Sequence, residues 1–180
     1  MSAPELVDDH RCFACGPHNA EGLHLDFVPD GEDAARSEVT LPPRLQGYRG
    51  IAHGGVVMML LDEAMAHACR FAGEKAMTAS CEVRFRKPVP LGAKLVMRGH
   101  VKERRRKVLY LEASLTLEDG TLLATAEGSF VSLGRLLNPR LRVRRRPPAR
   151  PRAQRRSRRS TIAGRAMNTR SSNRSKSALR

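Results

Sequence analysis

The amino-acid sequence predicts an α+β fold in which an antiparallel sheet wraps around one long central helix. The stretch over residues 51–73 is apolar on nearly all sides and long enough for a helix of roughly five turns. A helix of this kind is expected to be buried. Before and after it, apolar and polar residues alternate with a period of two, which is typical of half-buried strands.

Two strands are expected before the helix. Residues 21–28 alternate apolar and polar side chains, Pro29-Asp30-Gly31 turns the chain, and residues 34–41 return as a second strand. Residues 42–51 then form a loop that leads to the start of the helix. Loops in such positions commonly carry binding residues.

Four strands are expected after the helix, which has a suitable terminating glycine in Gly73. Glu118-Asp119-Gly120 indicates a hairpin turn. We predict that the four strands form an antiparallel meander, so that the whole is the hot-dog architecture. The predicted strands cover residues 81–85, 94–101, 109–117 and 121–131.

The charge of the chain is divided unevenly along its length. The 180 residues have a formal net charge of +15, but residues 135–180 hold 17 of the 33 Lys and Arg side chains and no Asp or Glu. We therefore predict one hot-dog domain over residues 1–134 and a disordered, low-complexity basic tail over residues 135–180. Such a tail either contacts nucleic acid or an acidic surface without reading a sequence, or is an extension without function, and we favour the extension.

Cys12 and Cys15 have the spacing of a zinc knuckle, and His10 or His18 would be needed to complete a set. The sequence contains no second Cys-x-x-C, and the residues that follow Cys15 are typical of a turn. We therefore favour a turn with buried thiols, and we expect neither a metal nor a cofactor.

The location of the protein is predicted from what its sequence lacks. The N-terminus has neither the basic nor the apolar segment of a secretory signal, and the four cysteines suit reduced thiols. Asp62 and Glu63 interrupt the central helix, so it is not expected to span a membrane. These features predict a cytoplasmic protein.

The central helix begins with His53-Gly54-Gly55, although glycine disfavours helix formation. At a helix start, the bare N–H groups of glycine approach a ligand closely and the helix dipole favours negative charge. These are the properties of an oxyanion hole for a carbonyl that becomes tetrahedral. A plain loop-to-helix junction is the alternative, and the carboxylate of Asp62 further along the helix favours the chemical interpretation.

Asp62 follows His53 by nine residues, which in a helix is about 13 Å of rise and half a revolution. Gly54 and Asp62 of one chain therefore cannot easily act on one small reacting group. If both act on one substrate, a two-fold dimer with antiparallel helices allows each site to take one end from each chain. Otherwise Asp62 faces a polar interface or a water molecule.

Five stretches of the sequence together carry a resemblance to a known family. They are C-F-A-C-G-P-H-N-A-E-G-L, Q-G-Y-R-G-I-A-H-G-G, L-L-D-E-A-M, R-F-R-K-P-V-P-L-G and E-D-G-T-L-L-A-T-A-E-G-S-F-V. The chain resembles the hot-dog thioesterases of the phenylacetate-degradation (PaaI-like) type over residues 10–133 and not over the tail.

The resemblance implies an acyl-CoA thioesterase that forms a homodimer or homotetramer with active sites at the subunit interface. The Gly54 N–H would polarise the thioester carbonyl, and Asp62 of the partner chain would be the general base or the nucleophile. His53 would lie beside the carbonyl, and Thr78 would orient the attacking water. A module that binds acyl-CoA without hydrolysing it is the alternative.

The loop before the helix departs from the family pattern. Several relatives have Asn or Gln seven residues before the first glycine, where this chain has Gly47 with Gln46 beside it. Either Gln46 substitutes for that residue or His53 works alone. We assign Gln46, Gly47, Gly55 and Thr78 to substrate binding.

Overall fold

The computed structural model describes residues 7–136. The basic tail predicted over residues 135–180 lies almost wholly outside the described residues, so the domain boundary after Gly134 stays a prediction. In the part of the chain that is described, no helix is long and apolar enough to cross a membrane.

The central helix, α1, covers Gly54–Phe71 and confirms the predicted buried helix. His53 is its N-cap, and its end is closed by Gly73, which has a φ of 79° and donates its N–H to the Arg70 carbonyl at 3.0 Å. That positive φ is the reason for a glycine at this position. Seven helix residues are buried: Val57, Leu60, Leu61, Ala64, Met65, Ala68 and Cys69.

A six-stranded antiparallel sheet packs against α1 through five of its strands, β2 to β6. A short 3-10 turn, Pro43–Leu45, lies in the loop before α1. The strands are β1 Val28–Pro29, β2 Ala34–Thr40, β3 Glu74–Phe85, β4 Lys94–Arg105, β5 Val108–Leu117 and β6 Leu122–Arg135.

The predicted four-stranded meander is only partly right. The strand order is β1-β2-β4-β5-β6-β3, so β4, β5 and β6 form the meander while β3 pairs with β6 at the far edge. Because α1 carries the chain across the sheet, β3 enters at the edge opposite to β1. Consequently β2 and β4 become neighbours.

The first predicted strand, residues 21–28, is wrong in its extent, since β1 is confined to Val28–Pro29. The alternation did reflect burial, because Leu25 is buried in the core. However, the Leu25 N–H donates to the Ala14 carbonyl at 2.9 Å, so this segment pairs with the cysteine-containing turn. A φ of 50° at His24 also interrupts the extended conformation.

Two glycines of the sheet allow α1 to lie close to it. A Cβ at Gly99 in β4 would stand 2.3 Å from the carbonyl oxygen of Ala64, which is helix backbone. A Cβ at Gly128 in β6 would stand 3.1 Å from the end of the Met65 side chain. Gly99 therefore allows the middle of α1, which carries Asp62, to pack closely against the sheet.

Candidate active site

The structure brings together two of the predicted site residues, Asp62 of α1 and Thr78 of β3. The Thr78 hydroxyl donates a hydrogen bond to Oδ1 of Asp62 at 2.9 Å. Asp62 is half-buried, whereas Thr78 is exposed. The pair forms because β3 follows α1 directly after Gly73 and returns alongside it.

Burial raises the pKa of the Asp62 carboxyl above its ordinary value, and the hydrogen bond from Thr78 opposes this shift in part. Desolvation has the larger effect because it penalises the charged form of the group. The carboxylate is thus more basic than one in water.

At the helix start, His53 uses both its side chain and its backbone to cap α1. Its Nδ1 accepts a hydrogen bond from the Gly55 N–H at 3.0 Å, and its carbonyl accepts from the Val56 and Val57 N–H groups. Within residues 7–136, the Gly54 N–H donates to no other group. Gly54, and not Gly55, therefore presents the available donor.

The loop residues Gln46 and Gly47 order the chain before His53. Gln46 Oε1 accepts from the Gly50 N–H at 2.8 Å, so the side-chain carbonyl closes a turn of the loop. A Cβ at Gly47 would stand 3.1 Å from the His53 Cα. Gly47 thus leaves space for His53, and the roles assigned to both loop residues in substrate binding stay predictions.

Gly54 and Asp62 lie at separate places along α1 of one chain. They are eight residues apart on a continuous helix, which corresponds to about 12 Å of rise. The edge strand β3 packs against α1 and exposes Met77 and Phe85, whose exposed fractions are 51% and 53%. Met58 of α1 is exposed as well.

A pocket of about 300 Å³ opens next to Gly54, and we call it the helix-start pocket. Its walls include the exposed Phe85 ring and the backbone around Val57 and Val89, and it is rimmed by Arg86 and Lys87. The sequence analysis did not assign a function to these cations. The stretch R-F-R-K-P was the available signal, because it places an aromatic residue at the end of β3 and two cations directly after it.

Glu63 faces a different direction from its neighbour Asp62. Its carboxylate accepts a hydrogen bond from the Cys12 thiol, with Sγ 3.6 Å from Oε1, and lies 3.6 Å from Nε2 of His67. Consecutive helix residues are rotated by about 100°, so the two carboxylates have separate environments. Glu63 is therefore not part of the Asp62–Thr78 pair.

The fold agrees with comparisons of sequence and structure. Residues 49–124 match the sequence model of the thioesterase superfamily. A solved thioesterase superfamily protein is 29% identical, with a TM-score of 0.65 over 68% of this chain and 63% of its own. The described residues thus have the hot-dog fold, and residues 49–124 are similar to the thioesterase superfamily.

Two relatives that are named as acyl-CoA thioesterases are similar to this chain. Acyl-coenzyme A thioesterase THEM4 of Bos taurus is 32% identical over 139 residues, 72% of this chain and 56% of that protein. Acyl-coenzyme A thioesterase PaaI of Escherichia coli is 23% identical over 64% of this chain and 82% of its own, and its structure superposes with a TM-score of 0.59. The predicted PaaI-like resemblance is confirmed, and the chain spans about half the length of the mammalian relatives.

Proposed function

We propose that this protein is a thioesterase that hydrolyses an acyl-CoA to the free acid and CoA. The observation that carries the proposal is the hydrogen bond of 2.9 Å between Thr78 and the half-buried Asp62. It orients one carboxylate oxygen and leaves the other for chemistry. The relatives named as acyl-CoA thioesterases support the same reaction class.

In the proposed reaction, Asp62 acts as the general base. It takes a proton from water while the water oxygen attacks the thioester carbonyl carbon, and the Gly54 N–H donates to the oxygen that becomes negative. The C–S bond then breaks, and the CoA thiolate receives the proton held by Asp62. Attack by Asp62 itself, through a mixed anhydride that water hydrolyses, is the other route open to the same carboxylate.

The site is proposed to form between two chains. Gly54 and Asp62 are too far apart along α1, by about 12 Å, to reach one carbonyl group. A second copy packed on the exposed face of α1 and β3 would cover Met58 and Phe85. A two-fold dimer with antiparallel helices then supplies Gly54 from one protomer and Asp62 from its partner.

The CoA part of the substrate is proposed to lie at the helix-start pocket. Arg86 and Lys87 provide cations for its phosphates, and Phe85 provides an apolar wall beside Gly54. A Streptococcus mutans protein of the same fold was solved bound to acetyl CoA; it is 21% identical, with a TM-score of 0.58 over 62% of this chain and 90% of its own. The predicted cytoplasmic location and nucleic-acid contact by the tail remain predictions.

The test is release of free thiol from short, medium, long and aryl acyl-CoAs by the full chain. Asp62→Asn should lower the turnover number at least about 100-fold while acyl-CoA binding is retained, because the amide cannot accept a proton. Retention of activity within about threefold of wild type would contradict the role of Asp62. Tight binding with no turnover by the wild-type chain on any substrate would support a non-catalytic binding module instead.

A further inference from the structure

A second cluster of reactive side chains lies apart from Asp62, where the N-terminal segment packs against α1. The ligand atoms of Cys12, Cys15 and Glu63 all lie within 4.8 Å of one another. The Cys12 Sγ is 3.6 Å from Oε1 of Glu63. The sequence alone favours a turn over a metal site here, because it has no second Cys-x-x-C and turn residues follow Cys15. The fold brings in a donor from 51 residues away, Glu63.

The turn that carries the two cysteines is built to hold both sulfur atoms on one side. The Ala14 N–H donates to the Cys12 Sγ at 3.4 Å, and the Gly16 N–H donates to the Cys12 carbonyl at 2.8 Å. A Cβ at Gly16 would stand 2.4 Å from the Cys12 nitrogen, so a side chain would disrupt this turn. Backbone N–H donors to sulfur also stabilise a thiolate ligand.

The third donor, Glu63, is oriented by residues on its own helix. Nε2 of His67 lies 3.6 Å from Oε2 of Glu63, and the His67 ring stacks on Phe27 with centroids 4.3 Å apart. Arg70 faces the same cavity of about 540 Å³, which gives access from solvent. The positive charge of Arg70, which also pairs with Asp8 at 3.3 Å, would offset part of the negative charge of two thiolates and one carboxylate.

We propose that Cys12, Cys15 and Glu63 bind one thiophilic divalent cation of the Zn²⁺ class, with water from the cavity as the fourth ligand. Zn–S bonds of about 2.3 Å and Zn–O bonds of about 2.1 Å in a tetrahedron separate neighbouring donor atoms by about 3.5 Å. The Cys12–Glu63 separation of 3.6 Å already meets this requirement. Both thiols release their protons to solvent on coordination.

Such a site would attach the N-terminal segment to α1 one residue from Asp62. Residues 10–19 are joined by backbone hydrogen bonds to the segment that includes Leu25. A metal bond to Glu63 would replace the weak Cys12 thiol–Glu63 hydrogen bond by a stronger connection to the helix. Its contribution would therefore be to stability and to the position of α1, with no part in the chemistry at the thioester.

The first experiment titrates the reduced full-length protein with Co²⁺, a spectroscopic substitute for Zn²⁺. One equivalent should bind with a thiolate-to-cobalt charge-transfer band in the near ultraviolet. Cys12→Ser and Cys15→Ser should each abolish this band, whereas Cys81→Ser, a control at another partly exposed thiol, should retain it. His67→Gln should weaken binding by about 10-fold to 100-fold, as loss of a residue that orients a ligand does.

The second experiment requires no variant. Zn²⁺ added to the wild-type protein should protect Cys12 and Cys15, but not Cys81, from alkylation by iodoacetamide, as measured by mass spectrometry of peptides. Absence of the charge-transfer band together with unchanged alkylation would overturn the proposal and leave a thiol–carboxylate hydrogen-bonded cluster. A band that persists in the variant lacking both Cys12 and Cys15 would overturn it as well.

Discussion

If each active site takes Gly54 from one protomer and Asp62 from its partner, two inactive variants should restore activity when they are combined. The first variant is Asp62→Asn, and the second is Gly54→Pro, which removes the proposed oxyanion N–H. The structure favours proline here because Gly54 is the first residue of α1, where proline is well tolerated. His53 already has a φ of −62° and a ψ of 139°, the conformation preferred before proline.

The expected activity of the mixture follows from symmetry. Random reassortment of equal amounts gives about half heterodimers, and each heterodimer has one site with both lesions and one with neither. The mixture should therefore reach about one quarter of the wild-type activity per chain, while each variant alone stays at least about 100-fold lower. Release of CoA thiol after co-refolding measures this directly.

A matched control replaces Gly54→Pro by the double variant Gly54→Pro/Asp62→Asn. In heterodimers of this double variant with Asp62→Asn, neither site contains Asp62, so the mixture should stay inactive. Native mass spectrometry of differently tagged chains establishes that heterodimers form. Heterodimers without activity would refute a site shared between chains, and full activity of Gly54→Pro alone would refute the oxyanion role of its N–H.

Three further predictions address the site, the packing and the tail. Thr78→Val should lower kcat about tenfold or more, because it removes the hydrogen-bond donor to Asp62, whereas Thr78→Ser should retain most activity. Ser80→Ala on the same strand is the control. An equal loss of kcat in Ser80→Ala would contradict the specific role of Thr78. Gly99→Ala should destabilise the fold by about 1–3 kcal/mol, and more than Gly128→Ala, because its Cβ would stand 2.3 Å from helix backbone, whereas a Cβ at Gly128 would stand 3.1 Å from the Met65 side chain and the Ser80 carbonyl oxygen. Thermal unfolding measures the order, and the reverse order would contradict this account. Removal of the residues after 136 should leave turnover within about twofold of the full chain at high salt, where attraction to the CoA phosphates is screened. Loss of activity at high salt would instead show that the tail is part of the active site.

The position of that last truncation depends on the structure. The sequence places the end of the domain after Gly134, where the basic tail begins. However, β6 continues to Arg135, which pairs with Glu74 at the start of β3, and the N–H of residue 136 donates to the Gly73 carbonyl. A cut after Gly134 would remove these contacts from the sheet edge and would test stability together with function.

The elements that follow from local chemistry were predictable. The apolar run, the capping His53 and the positive-φ Gly73 define α1 without reference to the rest of the chain, and the hairpin at residues 118–120 is a local turn signal. The edge position of β3 was not predictable from its alternation. That position depends on where α1 crosses the sheet, which no pattern within residues 74–85 records.

The surroundings of the two adjacent carboxylates in the middle of α1 also depend on tertiary structure, which the local sequence does not record. A helix rotates them apart by about 100°, and the sequence does not show what each will then face. Asp62 accepts a hydrogen bond from one hydroxyl of β3, whereas Glu63 accepts one from the Cys12 thiol and lies 3.6 Å from His67. The proposed catalytic base and the proposed metal ligand can therefore be neighbours on one helix because the groups that surround them differ.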